Sequence, residues 1–214
     1  RLDDQQKNLI STINTEAESL LNIINGILDF SKIEAGKLEL DHIPFNLRFL
    51  IEDLSDVFAV IAQKNNLEMI SFLPPDVPEK LIGDPGRLRQ VFVNLIGNAL
   101  KFTHEGEIFI WADTFEDMGK QLKIKFCIKD TGIGIPADKQ DKIFESFSQA
   151  DGSTTREYGG TGLGTTISKQ LVTMMNGEIG FESVPDKGTT FWFTACFEKD
   201  ETPKKPATSL PEEP

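Results

Sequence analysis

No stretch constrains the fold of this chain more than Asp84 to Phe102, DPGRLRQVFVNLIGNALKF. Asp84 can cap the free amides of a helix start, and Pro85 takes the first helical position, where its missing N–H costs nothing. Leu88, Val91, Phe92, Leu95, Ala99 and Phe102 recur at offsets of three and four and make one apolar face. Such a face needs a partner surface, so the chain must build a packed domain around this helix. Asn94, Asn98 and Lys101 recur at the same spacing on another face. Alone, two amides and a lysine read as a solvated polar face. Only the glycine-rich stretches downstream make them candidate ligands.

The 214 residues suffice for one good core plus an appendage, or for two small domains. Apolar residues at 39% and charged ones at 26% describe a globular chain, and no apolar run approaches the roughly 20 residues of a membrane span. The sequence shows no signal peptide and starts with Arg1, which reads as a piece of a longer protein. A net charge of −12 excludes a nucleic-acid groove, because phosphate repels an acidic surface, and otherwise serves solubility. Cys127 and Cys196 lie in apolar strand patterns without metal-ligand spacing. Buried thiols are the first reading, with a disulfide between them left open.

From Arg1 to about Lys37 the pattern is one long helix, residues 1–37, stopped by Gly36. Ile10, Ile13, Ala17, Leu20, Ile24 and Ile27 form a bundle seam, and Leu9, Leu21, Ile23, Leu28 and Phe30 widen it beyond a two-helix contact. Residues 38–45 read as a connector. Asn46 can cap a helix to about Lys64, followed by a strand at Leu67–Leu73 and a proline-rich break. Strands are expected at Glu107–Ala112 and Leu122–Asp130, the latter alternating apolar residues with Lys123, Lys125, Cys127 and Lys129. Asp138–Phe147 is weakly helical, Ser148–Gly162 is a polar glycine-rich loop, and Leu163 to Met174 is a helix. A hairpin with its turn at Pro185–Gly188 follows, and 199–214 is a charged, proline-rich disordered linker.

The chemistry sits in two glycine-rich blocks. In Asp130-Thr-Gly-Ile-Gly134 a carboxylate ends a strand and opens onto Gly132 and Gly134. A carboxylate can accept a hydrogen bond from the exocyclic amine of adenine, and glycines let backbone approach a flat base. The same spacing is as often only a turn. Gly159-Gly-Thr-Gly-Leu-Gly164 runs directly into a helix, whose free amides and positive dipole end suit phosphates. It follows no strand, which excludes a dinucleotide fingerprint, and the chain has no P-loop motif.

Taken together, Asn94-x3-Asn98-x2-Lys101, Asp130-x-Gly-x-Gly134 and Gly159–Gly164 resemble the N, G1 and G2 boxes of sensor histidine kinases, within the wider Bergerat ATP-binding family. Leu28-Asp-Phe-Ser-Lys-Ile-Glu-Ala-Gly36 is similar to the end of that family's second dimerisation helix. The resemblance implies an α+β fold, a two-layer α/β sandwich with a mixed sheet, preceded by a long bundle-forming helix, with the ATP-binding domain over 46–198. It implies ATP and Mg²⁺ as cofactors, with Asn98 as magnesium ligand, Lys101 as phosphate contact and Asp130 as reader of adenine. Gly132, Gly134, Gly160, Thr161, Gly162, Leu163 and Gly164 would line the nucleotide, Thr189 would lie beneath the base, and Arg156 would be a lid cation. Phe144 and Phe147 resemble the family's F box, or are simply core. Asn94 stands where ATPases of this wider family carry a water-activating glutamate. An amide cannot take a proton, which disfavours hydrolysis and suits transfer to a histidine. The implied partners are a response-regulator receiver domain and, once the hairpin is complete, a second copy through the N-terminal helix. The implied location is cytoplasmic, with the inner membrane as a possible anchor for the parent. The chain departs from the pattern in its histidines: His42 precedes Ile43-Pro44 and His104 precedes Glu105-Gly106, neither on a bundle helix. Without its acceptor the fragment is expected not to phosphorylate itself.

Overall fold

The computed structural model describes residues 2–145 and 164–201. Its first element, α1 (Asp4–Glu34), starts from a capping box. Asp3 Oδ1 accepts from the Gln6 amide at 2.8 Å, and Gln6 Oε1 accepts from the Asp3 amide at 3.1 Å. Gly36 at φ +62° closes the other end. Most of the apolar stripe of α1 is exposed, Leu9, Ile13 and Leu20 among it. Only the C-terminal end reaches the domain, where Phe30 and Ile33 pack against the core. Gly26 faces Ile167, where an added Cβ would make ordinary contact with its Cδ1 at 3.5 Å.

The domain consists of β1 (Ile43–Asn46), α2 (Leu47–Lys64), β2 (Leu67–Phe72), β3 (Lys80–Gly83), α3 (Pro85–Phe102), β4 (Gly106–Asp117), β5 (Gln121–Asp130), α4 (Ala137–Gln140), α5 (Gly164–Met174), β6 (Ile179–Val184) and β7 (Gly188–Lys199). The strands form one mixed sheet in the order β1-β3-β7-β5-β4-β2, with β6 also paired to β7. All pairs are antiparallel except β2 with β4. Alternation along β5 sends Leu122, Ile124, Phe126 and Ile128 to the helical side, where all four are buried. Phe92 of α3 meets the rings of Phe126 and Phe193 edge-on at 5.3 Å each, the centre of the core. The sheet and its helical layer thus give the two-layer α/β arrangement expected.

Several local readings need correction. Ile43–Asn46 is an edge strand paired to Lys80–Gly83, where the sequence reads connector and proline break. Four-residue strands carry no usable period, and only their long-range pairing reveals them. β4 runs to Asp117, five residues past the expected strand end at Ala112. Of the weak helix expected at 138–147, the described part is the short α4 followed by turns to residue 145, and residues 146 and 147 lie outside the described residues. On α3, Ile96 and Leu100 are buried, whereas Phe102 is 37% exposed, its ring under the Lys101 ammonium at 5.0 Å. Lys199 belongs to β7 and pairs with Asp117 at 2.7 Å, and the remaining tail from residue 202 lies outside the described residues. Both cysteines are free thiols, and burial pushes Cys127 up to about 11, so it stays protonated.

The N-terminal turn of α3 is a junction. Asp84 Oδ1 caps the Arg87 amide at 2.8 Å while Oδ2 accepts from the Asp41 amide at 2.9 Å, tying the connector to the helix start. The Arg87 guanidinium and the Gln90 amide both donate to Asp29 Oδ2 of α1, at 2.8 and 2.9 Å.

Candidate functional site

β5 ends at Asp130 because the chain must leave the sheet there, with Thr131 held back against β4: the Glu107 amide donates to Thr131 Oγ1 at 3.0 Å. Asp130 is 5% exposed. Its Oδ1 accepts from the Gly132 amide at 2.9 Å and from the Thr189 amide at 3.2 Å. Oδ2 has no hydrogen-bond partner among the described residues. Burial raises the Asp130 carboxyl above its ordinary value of 3.8, and the two amide donations pull it back. A buried carboxylate with one oxygen fixed and one open is shaped to take a donor.

The backbone segments around Asp130 approach each other too closely for side chains. A Cβ on Gly132 would lie 2.2 Å from Phe102 O, and one on Gly188 would lie 2.0 Å from Asp130 O. Gly134 similarly abuts Val184 O. Backbone bonds sew these segments together: Ile133 N donates to Phe102 O at 3.1 Å, and Asp186 N to Ile133 O at 2.8 Å. The loop after β5, the end of α3 and the β6–β7 turn are therefore one unit.

Asn94, Asn98 and Lys101 follow each other along α3. Asn94 Nδ2 donates to Gly164 O and to Ser168 Oγ, both at 3.2 Å, and so joins α3 to the first turn of α5. Asn98 is half-buried, and its side chain makes no hydrogen bond to the described residues. Burial lowers the Lys101 ammonium from its ordinary 10.5. Phe144 is half-buried with its ring 5.8 Å from that of Phe181. Arg156, Gly160, Thr161, Gly162, Leu163 and Phe147 lie outside the described residues. A depression of about 370 Å³ at the opposite end of α3, lined by Phe45, Phe49, Pro85 and Arg89, contains none of these groups.

His42 lies 3.3 Å from Glu198, both side chains exposed. Glu198 is nine residues along β7 from Thr189, on the order of 30 Å at strand rise. That histidine is at the far end of the sheet from Asp130. Two side chains that the sequence did not single out belong to the site, Ser183 and Gln140. Ile135 N donates to Ser183 Oγ at 2.8 Å, and Gln140 Nε2 donates to Ile135 O at 2.9 Å. A hydroxyl two residues ahead of the Pro185-Asp-Lys-Gly188 turn was the one available signal.

Comparisons with known proteins bear on the fold that carries these residues. Residues 83–199, more than half the chain, match the family described as histidine kinase-, DNA gyrase B-, and HSP90-like ATPase, and residues 1–36 match the His Kinase A (phospho-acceptor) domain. Over 210 residues the chain is 45% identical to the sensor protein GacS of Pseudomonas syringae pv. syringae, covering 98% of this chain and 23% of that protein. It is also 45% identical to the signal transduction histidine-protein kinase BarA of Escherichia coli K12, covering 90% of this chain and 21% of BarA. The chain thus spans under a quarter of the length of these relatives. Among solved structures, full-length ShkA in complex with AMPPNP superposes with a TM-score of 0.77 at 29% identity, covering 94% of this chain and 40% of ShkA. The chain belongs to the histidine kinase-, DNA gyrase B- and HSP90-like ATPase family and carries the catalytic ATP-binding domain of a sensor histidine kinase.

Proposed function

We propose that this domain takes Mg·ATP and transfers its γ-phosphoryl group to a histidine on a helix outside these 214 residues, in two-component signalling. The open Oδ2 of Asp130 carries the reading. It belongs to a side chain only 5% exposed, set among close-packed glycine backbone, and is suited to the amine of adenine. Phosphoryl transfer asks the protein mainly for positioning and for charge neutralisation. Lys101, already partly desolvated, is the cation for the phosphates, with Arg156, from the stretch of sequence ahead of α5, as a second. The Asn98 amide oxygen is free to act as a hard ligand. Among the described residues no three His, Cys, Asp or Glu side chains gather into a metal cluster. Magnesium takes one or two protein groups beside phosphate oxygens and water, so a single amide ligand suffices for it. When bound, the ion neutralises charge on the phosphates. Asn94, with no proton to accept, holds the start of α5 against α3 and leaves water unactivated. A receiver domain is the next acceptor of the phosphoryl group. The exposed stripe of α1 closes a homodimer once its hairpin is complete.

Titration calorimetry should show tighter binding of ATP than of GTP; equal affinities would refute the adenine assignment. Asn98→Ala should abolish the magnesium dependence of ATP binding, and an unchanged response would remove Asn98 from the ligand set. With γ-labelled ATP and magnesium, the chain by itself should acquire no acid-labile, base-stable phosphate. A complete hairpin supplied in trans should be labelled instead. Labelling of the chain alone, lost on changing His42 or His104, would make one of them the acceptor.

A further inference from the structure

Ser183 sits on β6, half-buried, where the loop after β5 meets the β6–β7 turn. Three groups surround its hydroxyl. The Ile135 amide donates to it at 2.8 Å, Gly188 O lies at 3.2 Å and Thr189 Oγ1 at 2.9 Å. A serine hydroxyl has one hydrogen and two lone pairs. If Ser183 donates to Gly188 O, it accepts from both Ile135 N and Thr189 Oγ1, and all three valences are used by protein. It has nothing left for a ligand. Gln140 repeats the bracing through the backbone, its Nε2 donating to Ile135 O and, at 3.4 Å, to Ser183 O.

The groups so tied are the ones that frame Asp130. Gly188 and Thr189 supply, respectively, the backbone that abuts Asp130 O and the amide that fixes Oδ1. Ile135 ends the loop that supplies the other amide, Gly132. The bonded width between loop and turn therefore decides where the free Oδ2 points. We propose that Ser183, braced by Gln140, is a positioning residue for recognition of the adenine base: it acts through Thr189 and the Asp130 loop and touches no ligand itself. This rests on the assignment of Asp130 to adenine and adds the device that aims it.

The test compares base-dependent with base-independent binding, using ATP and GTP on the intact chain. The wild type is measured first, and its preference for ATP tests the adenine assignment separately. With that preference in hand, Ser183→Ala should lower ATP affinity about tenfold, the equivalent of one or two lost hydrogen bonds. GTP affinity, which depends on the phosphate end, should hold, so the discrimination ratio falls. Gln140→Ala should lower the ratio in the same direction by a smaller factor, and Ser183→Thr, which keeps the hydroxyl, should restore it. Equal losses for ATP and GTP, or an unchanged ratio in a folded Ser183→Ala protein, would overturn the proposal and leave Ser183 a fold residue only. Should Ser183→Ala not fold, an unchanged ratio in Gln140→Ala would overturn it equally.

Discussion

Asp130→Asn is expected to weaken ATP binding roughly 100-fold while leaving the domain folded and no less stable near neutral pH. The substitution keeps the shape and keeps Oδ1 as acceptor for Gly132 and Thr189. It replaces the free Oδ2 with an amino group, turning an acceptor toward the base into a donor that faces another donor. The stability effect runs the other way. Burial raises the Asp130 carboxyl above 3.8, so the folded state holds its proton to higher pH than the unfolded chain. Its contribution to stability is full below about the ordinary carboxylate value and is lost as pH rises through the raised one. Above that window the wild type bears an ionised, poorly solvated group and the amide variant does not. Thermal melts of both proteins from pH 4 to 8 should therefore converge or cross in favour of the variant as pH rises. In parallel, wild-type affinity for ATP should fall on acidification through the same window, and the residual affinity of the variant should not. A variant that binds ATP like the wild type would remove Asp130 from the base site.

Gly188→Ala should be among the most destabilising single-methyl additions in the described chain. Gly188 has φ +100°, and a Cβ there would meet Asp130 O at 2.0 Å and the Thr131 Cα at 2.8 Å. Both neighbours are backbone and have no rotamer to escape into. The left-handed conformation costs about 1–2 kcal/mol for a non-glycine residue, and the overlap adds about 1–3 kcal/mol. Against a total stability of roughly 5–15 kcal/mol, this should lower the melting midpoint by on the order of 10 °C. Gly36→Ala is the control. Gly36 shares a positive φ of +62° but has nothing within 4 Å of the added Cβ, so only the conformational cost applies. A melt of Gly188→Ala no lower than that of Gly36→Ala would show that the turn can move away from Asp130.

Whatever depends on neighbours in sequence was readable before folding. The cap at Asp84, Pro85 and the face from Leu88 to Ala99 sit within one helix, and the structure reproduces them. The same holds for Asn46 capping Phe49, at 3.0 Å, and for Gly36 as a stop. Asp130 and its glycines were readable as a motif because base recognition asks for unusual backbone in a short span. What stayed hidden depends on pairing across the fold. β1 and β3 exist because Phe45 lies opposite Leu81, and nothing within either tetrapeptide says so. Ser183 meets Ile135 only through the register of β6 on β7 and the path of the loop after β5, a separation of 48 residues. Phe102 continued the apolar period of α3, yet it is exposed while Leu100 in the same turn is buried, and period alone cannot tell which residue of a last turn still meets the core.

The contact between α1 and the domain combines two kinds of force that tolerate displacement differently. Phe30 and Ile33 against the core, and Gly26 against Ile167, are apolar and without preferred direction, so they would permit α1 to slip or roll at little cost. Asp29 does not permit it. One carboxylate oxygen takes both Arg87 and Gln90, neighbours one helical turn apart on α3, and these bonds hold at a single angular setting of α1. A slip of one residue turns the helix face by about 100° and carries Asp29 away from both donors at once. The joint therefore has one notch. Because Leu88, Phe92 and Leu95 are wholly buried, α3 cannot turn inside the domain to follow. A turn of α1 that keeps these two bonds must therefore carry the whole domain with it, Asn98 and Lys101 included, and a turn that does not must break both together.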